Sequence, residues 1–221
     1  MPLSHHPGTQ QLQLASCGVL LPALVVRPIR AAGWVIFVHG SGSSRLSTRN
    51  QAVAAVLQRA GLATVLFDLL TPAEQDPGAP HHAGGPELER LAQRLWGVIE
   101  ALRAQSELAD RPLGLFGSSS GAAIALQVAA ETQPLVRAVV CRGGRPDLVP
   151  GSLGDVCCPT LLLVGSLDLD VLELNTWAAA RLRGFHELRV VPGAGHLFAE
   201  PGALAQVAEW SRDWFLRHLL C

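Results

Sequence analysis

The chain contains no lysine and no tyrosine, and its 221 residues include one methionine and five cysteines. All seventeen basic residues are therefore arginine, which together with abundant alanine, glycine, leucine and proline marks coding bias rather than function. Neither sign of charge dominates. A formal net charge of -1 removes the electrostatic case for nucleic acid or an anionic membrane surface as a general partner. No apolar run approaches the ~20 residues needed to span a bilayer. Met1 to Gly8 is polar and lacks a basic start followed by an apolar stretch, so we expect no secretory signal, a flexible segment over residues 1–10 and a cytoplasmic protein. Cys17, Cys141, Cys157, Cys158 and Cys221 are odd in number and lack the paired spacing of a zinc site or a thioredoxin-like motif. They read as mostly buried, reduced thiols, with the adjacent Cys157 and Cys158 as a redox-active alternative.

What is present is a globular composition, 49% hydrophobic and 16% charged, in a chain long enough to bury a core without disulfide or metal staples. Short β-rich runs alternate with helical periods. Leu12–Ala15 and Val19–Arg27 read as an opening strand pair, followed by strands at Trp34–Val38, Ala63–Leu69, Leu113–Phe116, Val136–Cys141, Thr160–Val164 and Glu187–Val191. Helices are expected over Arg49–Arg59 (capped by Ser47 or Thr48), Glu87–Gln105, Ser120 to about Ala130, Val171–Leu182, and from near Pro201 to the end. Strands this apolar, separated by helices, predict a mostly parallel sheet flanked by helices on both faces, with ligands at the strand C-terminal rim. With no internal repeat and no second composition regime, residues 1–221 read as one α/β domain. The Pro- and Gly-rich stretch Thr71–Pro86 reads as a long surface loop.

The sharpest motif is Gly117-Ser118-Ser119-Ser120-Gly121, directly after one strand and opening a helix of small residues. G-x-S-x-G alone is a weak signal in a Ser- and Gly-rich segment; the strand-to-helix context makes it a strong one. Such a turn strains its central residue and projects that side chain above the sheet, which makes Ser119 the candidate nucleophile. Its flanking serines point elsewhere. The alternative is a Ser-rich turn of purely structural role.

A serine hydroxyl needs a base within reach. His196, in Pro192-Gly193-Ala194-Gly195-His196, follows the final strand on the same rim. His5, His6, His81 and His82 lie in loops without such support, although His81 and His82 could border the site. His186 begins a strand and His218 sits on the last helix. The imidazole in turn needs an acid. Asp168 follows the strand Thr160–Val164 by a short turn, and the order Ser, Asp, His is that of this kind of site. Asp170 is the rival, better suited to cap the helix near Val171. Neither aspartate has metal-ligand company, so no metal is expected.

The loop His39-Gly40-Ser41-Gly42-Ser43-Ser44 would supply an oxyanion donor from the Ser41 N–H, paired with that of Ser120. A phosphate-cradling loop is the other reading, but the Walker lysine and G-x-G-x-x-G spacing are missing. Arg142 and Arg145 follow a strand near the rim and suit a substrate carboxylate; otherwise they pair with Asp147 or Asp155.

Val-His-Gly, Gly-Ser-Ser-Ser-Gly, Gly-Ser-Leu-Asp and Gly-Ala-Gly-His, in this order, resemble the α/β-hydrolase superfamily. The likeness is closest to compact bacterial dienelactone-hydrolase-like proteins without a cap domain. Phe67-Asp68-Leu69-Leu70-Thr71-Pro72 and Arg142-Gly143-Gly144-Arg145-Pro146-Asp147 strengthen it. The resemblance runs from about Gly33 to the C-terminus and implies the fold, the triad and ester or lactone hydrolysis. It departs at the elbow, where dienelactone hydrolase carries cysteine and this chain has Ser119. The expectation is a serine hydrolase of small-molecule esters working without a cofactor. A thioesterase or lactonase, or a binding protein that keeps the fold, are the alternatives.

Overall fold

The computed structural model describes residues 8–74, 85–104 and 111–220. His5, His6, His81, His82, Cys221 and most of the Thr71–Pro86 stretch lie outside the described residues.

Among the described residues eight strands form one sheet: β1 (Thr9–Ser16), β2 (Val19–Val26), β3 (Gly33–Val38), β4 (Leu62–Phe67), β5 (Leu113–Ser118), β6 (Val136–Arg142), β7 (Thr160–Gly165) and β8 (His186–Val191). Their spatial order is β1-β2-β4-β3-β5-β6-β7-β8. β3 to β8 run parallel, while β1 pairs antiparallel with β2 and β2 with β4. The β1–β2 hairpin closes on Cys17 and Gly18, both at positive φ, a two-residue turn whose twist matches the strands. Thr9 and Gln10, expected in a flexible segment, pair instead with Val26 and Val25.

Among the described residues five helices cover the sheet: α1 (Thr48–Arg59), α2 (Pro86–Ala104), α3 (Ser120–Glu131), α4 (Leu169–Ala179) and α5 (Ala203–Leu219). The period-two alternation of the strands builds two cores. Trp34, Ile36 and Val38 of β3 pack with Leu95 and Ile99 of α2 and Ile124 of α3. Val35 and Phe37 face the other way, onto Val53 and Leu57 of α1 and Trp214 and Phe215 of α5. On that side the Phe37 and Phe116 rings meet with centroids 4.8 Å apart, worth ~1 kcal/mol beyond their area. Helix α3 is buried nearly all round, which explains its run of alanine and glycine.

Two helix starts differ from the sequence reading. α4 begins at Leu169, with Asp168 at its N-cap position and Asp170 inside its first turn. α5 begins at Ala203, because Gly202 at φ 82° holds the chain outside the helix. At α1 the cap is Ser47, whose side chain accepts from Asn50 N–H, a bond worth ~1 kcal/mol. Of the cysteines, Cys141 and Cys158 are buried but Cys17 and Cys157 are exposed, so burial is less general than expected. Between β6 and β7 there are only two 3-10 turns, Pro146–Leu148 and Leu153–Asp155, and no cap domain stands over the rim among the described residues. No helix there is long and apolar enough to cross a membrane.

Candidate active site

At the end of β5 the chain turns into α3 through a single residue, Ser119, at φ 52° and ψ -127°. An L-residue pays strain in this region, and side chains held there recur at functional sites. The turn is tight enough to dictate its glycines. A Cβ at Gly121 would stand 2.3 Å from the Val38 carbonyl oxygen, and one at Gly117 would stand 2.5 Å from Ala122 Cα. Gly40, across from the elbow, leaves a Cβ position only 2.9 Å from Ser119 Cβ. Backbone bonds fix the elbow from the β6 side: Ser119 N–H donates to the Arg142 carbonyl, and Arg145 N–H donates to that of Ser119, both at 3.1 Å.

His196 lies on the turn after β8, and that turn is laced to the loop after β7. Gly193 N–H donates to Ser166 Oγ at 2.7 Å, and Leu167 N–H to the Ala194 carbonyl at 2.9 Å. Gly195 N–H donates to Glu200 Oε1 at 3.1 Å. Two loops distant in sequence thus present Asp168 to His196, whose Nδ1 meets Asp168 Oδ2 at 2.7 Å. The carboxylate requires the hydrogen on Nδ1, which leaves Nε2 as an acceptor. Asp170, exposed in the first turn of α4, is not the partner. No hydrogen bond joins Ser119 to His196 among the described residues. The β6 loop links them instead: Arg142 holds the elbow, and a Cβ on Gly143 would lie 3.4 Å from His196 Cε1 and Nδ1.

Ser41 N–H, expected to face a substrate oxygen, donates to Ser120 Oγ at 3.0 Å, and the two hydroxyls lie 3.1 Å apart. Ser120 N–H sits at the first position of α3, where no intrahelical acceptor exists. The two arginines diverge. Arg145 forks onto Asp147 through Nε and Nη2 at 2.8 and 2.7 Å. Arg142 is 8% exposed, and its Nη1 is buried without a partner.

One positioning residue escaped the sequence reading. His39 is buried, with Nδ1 2.9 Å from the Gly40 carbonyl and Nε2 accepting from Leu69 N–H at 2.9 Å. Burial holds its pKa below the ordinary histidine value, so the ring is neutral and ties the Gly40 loop to the end of β4. Its place between β3 and the Gly-rich loop was the available signal. A second is Glu74, which accepts two bonds from Arg94 at 2.7 and 2.8 Å and one from Thr71 N–H at 2.8 Å. These arginine bonds push its carboxyl well below the usual range, and they pin the start of the Thr71–Pro86 stretch. Among the described residues no cluster of three His, Cys, Asp or Glu is placed to hold a metal ion.

The serine aminopeptidase S33 family model matches residues 29–145. A dienelactone hydrolase from Anabaena variabilis is 43% identical, with a TM-score of 0.92 over 97% of this chain and 100% of that one. Est1E from Butyrivibrio proteoclasticus superposes with a TM-score of 0.79 over 97% of this chain and all of its own, at 16% identity, a likeness of fold alone. Proteins of two Mycobacterium tuberculosis strains, CDC 1551 and H37Rv, provisionally named phosphoribosyl transferases, are 50% identical over 95% of this chain. The chain spans 46% of their length. On the S33 match and the full-length likeness to the Anabaena protein, the chain belongs to the α/β hydrolases as a dienelactone-hydrolase-like member.

Proposed function

We propose that this hydrolase cleaves small carboxylic esters through an acyl-enzyme, with Ser119 as nucleophile, His196 as base and Asp168 as the acid that orients it. The observation that carries the reading is the strained Ser119 elbow on the same rim as the Asp168–His196 pair at 2.7 Å. In the proposed cycle His196 Nε2 takes the Ser119 proton as Oγ bonds to the substrate carbonyl carbon. The resulting oxyanion is met by Ser120 N–H and, once the Ser120 hydroxyl turns aside, by Ser41 N–H. Collapse expels the alkoxide, which takes the proton from His196. Water then attacks the acyl-enzyme with the same base, and Ser119 regains its proton. No cofactor enters this cycle. The buried Cys141 and Cys158 thiols, both free, support a reducing cytoplasm as its setting.

A lactone substrate is the second reading, favoured by the 43% identity to a protein named as a dienelactone hydrolase. Leaving-group chemistry separates the two: a lactone keeps its alcohol tethered to the acyl group.

The test is labelling by a fluorophosphonate probe together with turnover of 4-nitrophenyl butyrate. Wild type should be labelled at Ser119 and turn the ester over. Ser119→Ala should lose both, and Asp168→Asn should lose ~10^4-fold in kcat. A wild-type protein that neither labels nor hydrolyses would instead be a binding protein on this fold.

A further inference from the structure

Helix α2 buries Leu88, Leu95, Val98, Ile99 and Leu102, and one charged residue interrupts that buried set. Arg94 is 4% exposed, and its Nε is buried without a partner. A buried guanidinium adds little to stability even when paired, because desolvation offsets the attraction. Its bonds give it another role. Nη1 donates to the Leu69 carbonyl at 2.8 Å, and Nη1 and Nη2 fork onto Glu74 at 2.7 and 2.8 Å. Leu69 is 1% exposed and lies beyond Phe67, the last residue of β4. Its backbone is therefore buried outside the strand ladder, where both polar groups need partners. Two side chains supply them: Arg94 binds the carbonyl, and His39 Nε2 accepts from the N–H at 2.9 Å.

The residue before Leu69 fastens the far end of the loop that His39 begins. Asp68 accepts from Arg45 N–H at 2.6 Å and pairs with the Arg45 guanidinium. Asp68 is itself fixed to β2, its N–H donating to the Pro22 carbonyl at 3.0 Å. His39 and Arg45 bracket the Gly-rich loop that contains Ser41, so Asp68 and Leu69 clip that loop at both ends. His39 Nδ1 reaches the Gly40 carbonyl at 2.9 Å, and Gly40 packs on Ser119 without room for a Cβ. From Arg94 to the Ser41 peptide the path runs through Leu69, His39 and Gly40, all three buried. A displacement of Leu69 is therefore passed on to the oxyanion donor rather than absorbed by solvent-side movement.

We propose that Arg94, with Glu74 as its counter-ion, is a positioning residue for ester hydrolysis. Through Leu69 and His39 it sets where the Ser41 N–H meets the substrate oxyanion. This deepens the serine hydrolase reading and rests on it. Arg94 reaches the chemistry only through other groups, and its value lies in geometry: a donor displaced by a fraction of an ångström loses much of its hold on the developing charge. Arg90 pairs with the same Glu74 carboxylate, but its side chain is 42% exposed and makes no bond to Leu69 among the described residues. It stands outside the relay and serves as the comparison.

The experiment measures kcat/KM for 4-nitrophenyl butyrate and Ki for a trifluoromethyl ketone of the same chain length. Ser119 Oγ adds to the ketone carbon as its proton passes to His196, and the hemiketal oxygen carries a negative charge that needs the same donors. Arg94→Met should lower kcat/KM by about tenfold or more and raise Ki by a similar factor, with native far-UV circular dichroism. Glu74→Gln should shift both in the same direction, and Arg90→Gln should leave both within about twofold of wild type. His39→Asn cuts the same relay, so adding Arg94→Met to it should cost no more than about twofold beyond the larger single loss. Losses that multiply in the double variant overturn the proposal, because the two side chains then act independently. So does an Arg94→Met protein as active as wild type, or one that loses turnover while Ki stays unchanged. Where Arg94→Met fails to fold, Glu74→Gln carries the test, its side chain being 28% exposed. Equal effects of Glu74→Gln and Arg90→Gln then overturn the relay. A wild type that hydrolyses the ester alongside such results keeps the hydrolase reading, whereas a wild type that neither hydrolyses it nor binds the ketone overturns both.

Discussion

Ser119 holds a conformation that suits glycine, at φ 52° and ψ -127°, and it does so because the elbow is bonded to Arg142 and Arg145 on one side and packed on Gly40 on the other. Strain of this kind costs ~1–3 kcal/mol, more than the extra chain entropy a glycine loses on folding. Ser119→Gly should therefore remove activity and raise Tm by ~2–4 °C in a scanning calorimeter. An unchanged or lower Tm would show that the elbow is not strained. His39 makes the opposite kind of statement, about pH. Its folded pKa lies below 6.5 because burial disfavours the charged ring, an effect that its Gly40 bond and the charge of Asp68 only partly offset. The unfolded chain thus takes up the proton first as pH falls. The His39 contribution to stability is intact above pH 6.5 and declines below it, toward the folded pKa. Urea unfolding of wild type should weaken between pH 7 and 5. His39→Asn should start less stable and show a shallower decline, and parallel curves would refute the assignment.

The elements that carry the site are joined where two backbones nearly touch. Gly165 ends β7, and a Cβ there would fall 2.2 Å from the Ala194 carbonyl oxygen, on the turn that presents His196. Backbone cannot yield as a side-chain tip can, so Gly165→Ala should push that turn away from Asp168. A displacement of about 1 Å costs ~100-fold in rate. We expect kcat/KM to fall by that order while far-UV circular dichroism stays native; full activity would mean the two loops move independently. Strands and helices were legible in the sequence because β3 and β7 carry the apolar runs Trp34–Val38 and Leu161–Val164 and α2 repeats Leu88, Leu95, Ile99 and Leu102 on one face. The start of α4 was not. Asp170 reads as the better cap for a helix near Val171, whereas Asp168 takes the N-cap position, held by the loop bonds to Ala194 and Ser166 where its carboxylate meets the imidazole.

At the scale of the molecule, one sheet carries two cores, and each fully buries one tryptophan: Trp34 on the α2 and α3 side, Trp214 on the α1 and α5 side. Because every central strand contributes alternate side chains to both, neither core can open without the other. Single-tryptophan fluorescence at each position should give the same denaturation midpoint, and two separate midpoints would divide the chain into independent units. The sequence by itself determined the hydrophobic alternation, the parallel sheet and the order of Ser119, Asp168 and His196, since period and spacing are local properties of the chain. Tertiary structure alone decided that Arg145 is matched by Asp147 while Arg142 is left buried without an acceptor at Nη1, and that the Ser120 hydroxyl occupies the Ser41 N–H. Pairing between charges and donors depends on distances between segments far apart in the chain, and no local pattern encodes those distances.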